Sequence, residues 1–252
     1  MIINSDINVL GSLPDWNLIN IFLKDSIGSL RLNGGLQSFT AIKTDKSIKR
    51  FEKAISGTLI KFKNADVDAL IKEALISESI SNDSLLLLFW NASCNNSLLN
   101  YLNNKVYFPA FYSGRVTIKN DEIIACLVEL KEKEADIKKW AESTILVTAS
   151  KYLILLKKFG LMSGSVNKSI VHPYLSDKMF ILFVYWIVSV EPITNIIQSK
   201  LLTYSFSDKQ VFIDRVLQKK YVKFFNITYT GDKMKIEPLI QYQKIYDAAA
   251  KF

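Results

Sequence analysis

Residues that usually carry hydrolytic, metal or nucleotide chemistry are scarce in this chain. A single histidine, His172, stands in 252 residues, next to Pro173 and with no carboxylate pair or nucleophile motif around it. A structural or solvent-facing imidazole is therefore expected and a catalytic one is not. The two cysteines, Cys94 and Cys126, form neither a metal-ligand spacing nor a Cys-x-x-Cys pair. Both fall in apolar helical patterns, which predicts buried, reduced thiols in a cytosolic protein. Gly34-Gly35 is followed by neither Lys-Ser nor a strand-turn-helix signature, so no phosphate-cradling loop is present. The uncharged run MFILFVYWIVSV, Met179 to Val190, is 12 residues long and closed by Lys178 and by Glu191-Pro192. A membrane span needs about 20 apolar residues, so this run reads as a buried helix or strand. The opening MIINSDINVL lacks the basic start and apolar block of a signal peptide. Together these gaps argue against an enzyme, a metal centre, a cofactor, a small-molecule substrate or a membrane partner, and for a cytoplasmic location.

What is present suits a folded protein. Hydrophobic residues make up 49% and charged residues 22%, and nine Gly and five Pro are too few for extensive disorder. The length allows one large domain or two small ones. A division into an N-terminal helical region, 1–115, and a C-terminal winged-helix-like region, 116–252, is expected. The net charge is +8, which favours a polyanionic partner. Between Lys138 and Lys223 stand 13 basic residues against five acidic ones, an excess equal to that of the whole chain. A second excess, seven against two, lies between Lys43 and Lys63. Lysines that merely keep helical faces in water are the competing explanation for both.

Periodicity predicts a mainly α, multi-helix protein with one or two small β-hairpins. Met1 to Leu10 is ambiguous and reads as one short strand. Pro14-Asp15 starts a helix with Trp16, Ile19, Phe22 and Leu23 on one face, stopping before Gly28, and Asn33-Gly34-Gly35 marks a turn. Ile48, Phe51, Ile55, Leu59 and Phe62 recur at helical spacing, with Lys46, Lys49, Arg50, Lys53 and Lys61 turned outward. Asn64 caps the next helix, and the two resemble a helical hairpin whose basic face, with Lys49, Arg50 and Lys53, is a candidate phosphate contact. Asp83 to Ala92 is apolar almost all round and reads as a central buried helix. Asn96 to Asn103 follows as a short helix, and VYFPAFYSG as an aromatic loop whose rings could stack on bases but more often serve packing. Asp121 opens a further helix. Beyond Val190, Val211, Ile213, Val216, Leu217 and Tyr221 give one more. Lys223 to Tyr229, the turn Thr230-Gly231-Asp232-Lys233 and Met234 to Glu237 form a β-hairpin, and Leu239 to Phe252 a docking helix.

The stretch DIKKWAESTILVTASKYLILLKKFGL, Asp136 to Leu161, combines a short helical turn ending in Trp140, a tight connection and a longer helix. Ile145, Ala149, Tyr152, Leu153, Leu156 and Phe159 line one face of that helix, the other being polar and basic. Ser143 or Thr144 is expected to cap its start, Lys157 and Lys158 to complement its dipole, and Gly160 to end it. Leu161-Met162, SGSVN and KSIV then read as strand, turn and strand, which completes the outline of a winged helix-turn-helix. In that geometry Ser143, Thr144, Thr148 and Lys151 face a major groove, Lys168 reaches flanking phosphates from the wing, and Lys138 and Lys139 lie just upstream. No Arg or Gln is available among them for bidentate base readout, so duplex binding is expected to be tolerant of sequence.

The succession LLLLFWNASC, short helix, aromatic segment and WAESTILVTASKYLILLKKFGLMSG resembles the BrxA proteins of bacteriophage-exclusion (BREX) defence. The similarity runs from about Ser84 to Gly164, more weakly to Ile240, and is carried by Trp140, Ser143-Thr144, Tyr152-Leu153 and Gly160-Leu161. It implies a helical cytoplasmic protein with helix-turn-helix elements that binds duplex DNA in anti-phage defence, alongside other defence proteins. An inner-membrane location, also ascribed to the family, does not fit the short run at Met179 to Val190. An RNA-binding helical protein and a protein-interaction scaffold are the alternatives. No resemblance covers Met1 to about Leu36.

Overall fold

The computed structural model describes residues 3–26, 42, 44–76, 80–165 and 168–252. The turn expected at Asn33-Gly34-Gly35, the helix stop at Gly28 and the wing-tip residues Val166-Asn167 lie outside them. In chain order the elements are α1 (Asp6–Leu10), α2 (Asn17–Ser26), α3 (Asp45–Ala54), α4 (Ala65–Leu75), α5 (Asn82–Asn95), α6 (Ser97–Leu102) and α7 (Phe108–Tyr112). There follow α8 (Asn120–Lys133), α9 (Ala135–Lys138), α10 (Glu142–Lys158), β1 (Met162–Ser163), β2 (Ser169–Ile170), α11 (Asp177–Val190), α12 (Lys209–Val216), β3 (Phe225–Tyr229), β4 (Met234–Pro238) and α13 (Tyr242–Ala250). The protein is mainly α. Short polar side chains start several of its helices, Asn64 among them as expected. Thr44, Asn64, Ser81, Asn96 and Ser176 each accept a hydrogen bond from a backbone N–H in the first turn of the helix that follows.

The chain forms two compact units, Met1–Lys61 with Glu78–His172, and Phe62–Ser77 with Pro173–Phe252. The expected boundary at 115/116 therefore falls inside the first unit. The expected hairpin of α3 and α4 is likewise divided, one helix belonging to each unit. A periodic pattern shows that a helix has an apolar face but not which partner covers it.

In the first unit α5 is the central helix, with Leu87 to Ser93 buried throughout. The Phe89 ring lies 6.4 Å from Tyr107 and 5.5 Å from Phe159, and Trp16 stacks on Phe159 at 5.4 Å. Met1 to Leu10 departs from the expected strand: Asp6–Leu10 is a helix that buries Ile7, Val9 and Leu10. This helix packs against α10 and α3. Gly11, at its end, lies so near α10 that a Cβ there would stand 2.6 Å from the Lys151 carbonyl oxygen. Only glycine permits that approach.

The aromatic segment is also helical rather than a loop. A π-turn at Asn103–Tyr107 runs into α7, with Pro109 in the first turn, where its missing N–H costs nothing. Tyr107, Phe108 and Phe111 are buried, which confines these rings to packing. Another π-turn, Ile55–Leu59, ends α3. Two of its carbonyls and that of Lys61 are taken up by Asn91, whose Nδ2 donates to Leu59 O and Lys61 O at 2.7 and 3.0 Å, and by Asn95, which donates to Thr58 O and Lys61 O. Cys94 is exposed and Cys126 half-buried, contrary to the expectation of two buried thiols. Cys94 lies in the last turn of α5, where the helix leaves the core.

The second unit is built on α11, in which every residue from Met179 to Ile187 is buried. It packs against α4 and α13. Among the described residues no helix is long and apolar enough to cross a membrane. The hairpin β3–β4 pairs Phe225 with Pro238 through Tyr229 with Met234, and Gly231 in its turn has φ +88°. Asn195 fixes the hairpin by donating to Asp232 O and accepting from the Met234 N–H, both at 3.0 Å.

At the start of α11, Asp177 accepts hydrogen bonds from Lys220 Nζ at 2.6 Å, Tyr221 OH at 2.6 Å and Arg215 Nη2 at 3.1 Å. Partial burial alone would raise its pKa, but the bonds from Lys220, Tyr221 and Arg215 outweigh it and hold the carboxyl down at about 2. The folded-state value lies below the unfolded one of about 3.9. The contribution is therefore complete above about pH 4 and is lost as pH falls towards 2. The side chain is 37% exposed, so screening limits the gain at pH 7 to on the order of 1 kcal/mol. Asp177→Asn is expected to lower the melting temperature by a few degrees at pH 7 and to flatten its fall between pH 4 and 2. Parallel pH profiles for parent and variant would place the titration elsewhere.

Candidate nucleic-acid interface

The segment from α8 to β2 lies wholly in the first unit and builds the candidate interface. Helix α8 packs along α10 and carries α9 at its end. Ile137, 1% exposed, anchors α9, and Lys131 Nζ ties the connection by donating to Trp140 O at 2.6 Å. Trp140 itself is only half-buried, so it is Ile137 that anchors this connection. Helix α10 begins at Glu142 with Ala141 as its cap residue, in place of Ser143 or Thr144. Gly160, at φ +77°, ends it in the left-handed conformation as expected. Strands β1 and β2 pair Met162 with Ile170 and Ser163 with Ser169. A third stretch joins their edge: Thr117 bridges Ser169, and the Ile170 N–H donates to Val116 O at 2.7 Å.

The open face of α10 is not the one read from periodicity. Ser143, Leu146, Val147, Ser150 and Lys157 are exposed, while Thr144 and Lys151 are half-buried. Thr148 is 0% exposed, its hydroxyl donating to Thr144 O at 2.7 Å, and this removes it from the candidate contacts. At roughly 100° per residue, the expected face of Thr144, Thr148 and Lys151 is turned about a third of a circle from the open one. The reason lies in the N-terminal segment. Gly11 sits against Lys151, and Lys158 Nζ donates to Leu13 O. Burial pushes the Lys158 pKa down, so it serves as a tie between segments rather than as a free dipole partner. Lys157 instead reaches Gly164 O at 2.7 Å, linking helix and hairpin.

Lys168 and Ser150 line a cleft of about 670 Å³ together with Leu153 and with Thr117, Lys119 and Asn120 at the start of α8. Two of these, Lys119 and Asn120, and the stripe residue Ser150 were not legible as site residues, because nothing local places them beside Lys168. Lys138 and Lys139 are exposed just before α10. Acidic groups here are Glu134 and Asp136 close to Lys138, and Asp121, Glu142 and Glu122. The last is neutralised by Arg115 at 2.6 Å, whose hydrogen bonds hold its carboxyl below the usual range. Lys49, Arg50 and Lys53 are exposed on α3, which is joined to α10 through α1. His172 is exposed, its ring 4.8 Å from that of Phe111. Among the described residues no group of three or more His, Cys, Asp or Glu is placed to hold a metal ion.

A sequence model of the BrxA family matches residues 42–183, more than half of the chain. The chain belongs to the BrxA family. BrxA membership makes it a protein of BREX phage defence. The matched span includes α8 to β2 in full and ends within α11, so the BrxA match covers the whole candidate interface but not β3, β4 or α13. No curated protein and no solved structure matches the chain.

Proposed function

We propose that this BrxA protein is a non-enzymatic duplex-DNA-binding component of BREX defence, acting in the cytoplasm. In this reading α8, α9 and α10 form a helix-turn-helix, β1 and β2 its wing, and α10 enters the major groove. The observation that carries it is the open stripe of α10, bordered by Lys138 and Lys139 before the helix and by Lys119 and Lys168 beside it. Lysines before the helix and along one side of it suit contacts to phosphate backbone. The stripe holds only hydroxyl and aliphatic side chains, so most affinity comes from phosphate contacts and base identity changes it only by small factors.

The test is a fluorescence titration of duplex DNA against salt. The variant Lys138→Glu, Lys139→Glu, Lys168→Glu is expected to bind at least tenfold more weakly at low salt. Its log-log salt slope should shrink by about 0.9 for each phosphate that the protein no longer neutralises. The melting temperature should hardly change, since Lys138 and Lys139 are exposed and Lys168 is outside the core. Unaltered affinity would remove the interface from this face and leave Lys49, Arg50 and Lys53 on α3 to be tested. Structured RNA competing better than duplex DNA would replace the reading by an RNA-binding one. Failure to bind either nucleic acid would favour a scaffold contacting other defence proteins.

A further inference from the structure

We infer that the open stripe of α10 recognises 5-methyl groups of pyrimidines in the major groove, so that thymine-bearing duplexes are the preferred ligands. This rests on the reading of α10 as the groove-entering helix and specifies what that helix reads. Ser143, Leu146, Val147 and Ser150 follow at i, i+3, i+4 and i+7, a single line along the N-terminal half of the helix. The central two are aliphatic yet 44% and 48% exposed, in a helix whose other large apolar residues, apart from half-buried Ile154, are buried. Exposed aliphatic groups at the centre of a basic face need an apolar counterpart within a polyanion. A protein partner offering an apolar knob would meet Lys119 and Lys168 beside the stripe and Lys138 and Lys139 before it, whereas the phosphates lining a groove complement them. Of the acidic groups, Asp121 lines the same cleft as Lys119 and Lys168, and Glu142 opens α10 beside Ser143.

The chemistry of the stripe selects what can be read. No Arg, Lys, Asn or Gln stands in it, which excludes the bidentate pairings used for guanine and adenine. Of the groups on the major-groove floor, the thymine C5 methyl is the apolar one, absent from cytosine and uracil. Burying a methyl-sized group is worth about 0.8 kcal/mol, or roughly fourfold in affinity for each methyl contacted.

The experiment compares four duplexes of one length at one salt concentration: A·T, A·U, G·C, and G·C with 5-methylcytosine. The parent protein is expected to bind A·T at least fourfold more tightly than A·U, and the methylated G·C duplex more tightly than the unmethylated one by a similar factor. In the double variant Leu146→Ser, Val147→Ser both differences should vanish, each being read as a ratio between duplexes bound by the same variant. Both side chains are exposed, so the melting temperature should be kept, and this is measured alongside. Duplex binding indifferent to the methyl group would overturn the inference and leave the DNA-binding reading standing. A methyl preference that persists in the variant would overturn it too, by assigning the readout to other residues. Absence of binding to all four duplexes at low salt would instead bring down the DNA-binding reading itself, and the inference with it.

Discussion

Trp186→Ala is expected to destabilise the second unit by about 3–5 kcal/mol, as truncation of a fully enclosed aromatic does. Trp186 is 0% exposed on α11, with the Phe183 ring at 5.8 Å and the Tyr204 ring at 6.2 Å. Its neighbours on the helix are themselves buried, and α4 and α13 pack against α11, so the space left by the indole has little freedom to collapse. Urea unfolding followed by far-UV circular dichroism measures this without relying on tryptophan emission. Trp186→Phe, which retains part of the volume, should cost less. An unchanged midpoint for the alanine variant would place the ring in solvent and contradict the burial of α11.

The second large effect concerns polar groups in the core of the first unit. Tyr152 OH on α10 donates to Asn103 Oδ1 at 3.0 Å, Asn103 Nδ2 donates to Ser93 Oγ at 3.0 Å, and Ser93 Oγ donates to Phe89 O at 2.8 Å. Tyr152 and Asn103 are 0% exposed and Ser93 is 2% exposed. This relay joins the candidate recognition helix to α5 through the π-turn. Asn103→Leu removes both an acceptor and a donor from a dry site, at about 1–3 kcal/mol for each buried group deprived of its bond. A loss of about 2–4 kcal/mol is expected. Tyr152→Phe in the Asn103→Leu background should recover part of it, because the hydroxyl then no longer lacks its acceptor. Strictly additive losses in this double-mutant cycle would mean that the two side chains do not act together.

Much of the fold was legible because it depends on local pattern. Asn64 caps α4, Gly160 ends α10 and the apolar run at Met179 forms a buried helix, each decided by residues within one or two turns. The hairpin from Phe225 to Pro238 was legible from alternation and its Gly231 turn. The failures share a different cause. Where a strand was expected at Met1 to Leu10, Asp6–Leu10 is a helix, because its few apolar residues fit either period and packing against α10 and α3 decides between them. The aromatic segment around Pro109 winds as a helix, since proline in a first turn does not break one. Cys94 emerges at the end of α5, a point that apolar spacing alone does not register.

The candidate site divides along the same line. By itself the sequence determined that α10 exists, where it ends, that a short helix precedes it and a hairpin follows, and that lysines crowd around it. These follow from spacing, capping and charge, all of them local properties. Which side of α10 stays open was decided only in the tertiary structure. Gly11 lets the N-terminal segment close on Lys151, Leu13 takes up Lys158, and Thr148 turns its hydroxyl back to the helix. The stripe from Ser143 to Ser150 is left facing outward, beside Lys168 and the start of α8. A helix with apolar residues on more than one side carries no local mark of which side its partners will bury. That choice was made by segments more than a hundred residues away, through the area they bury against it.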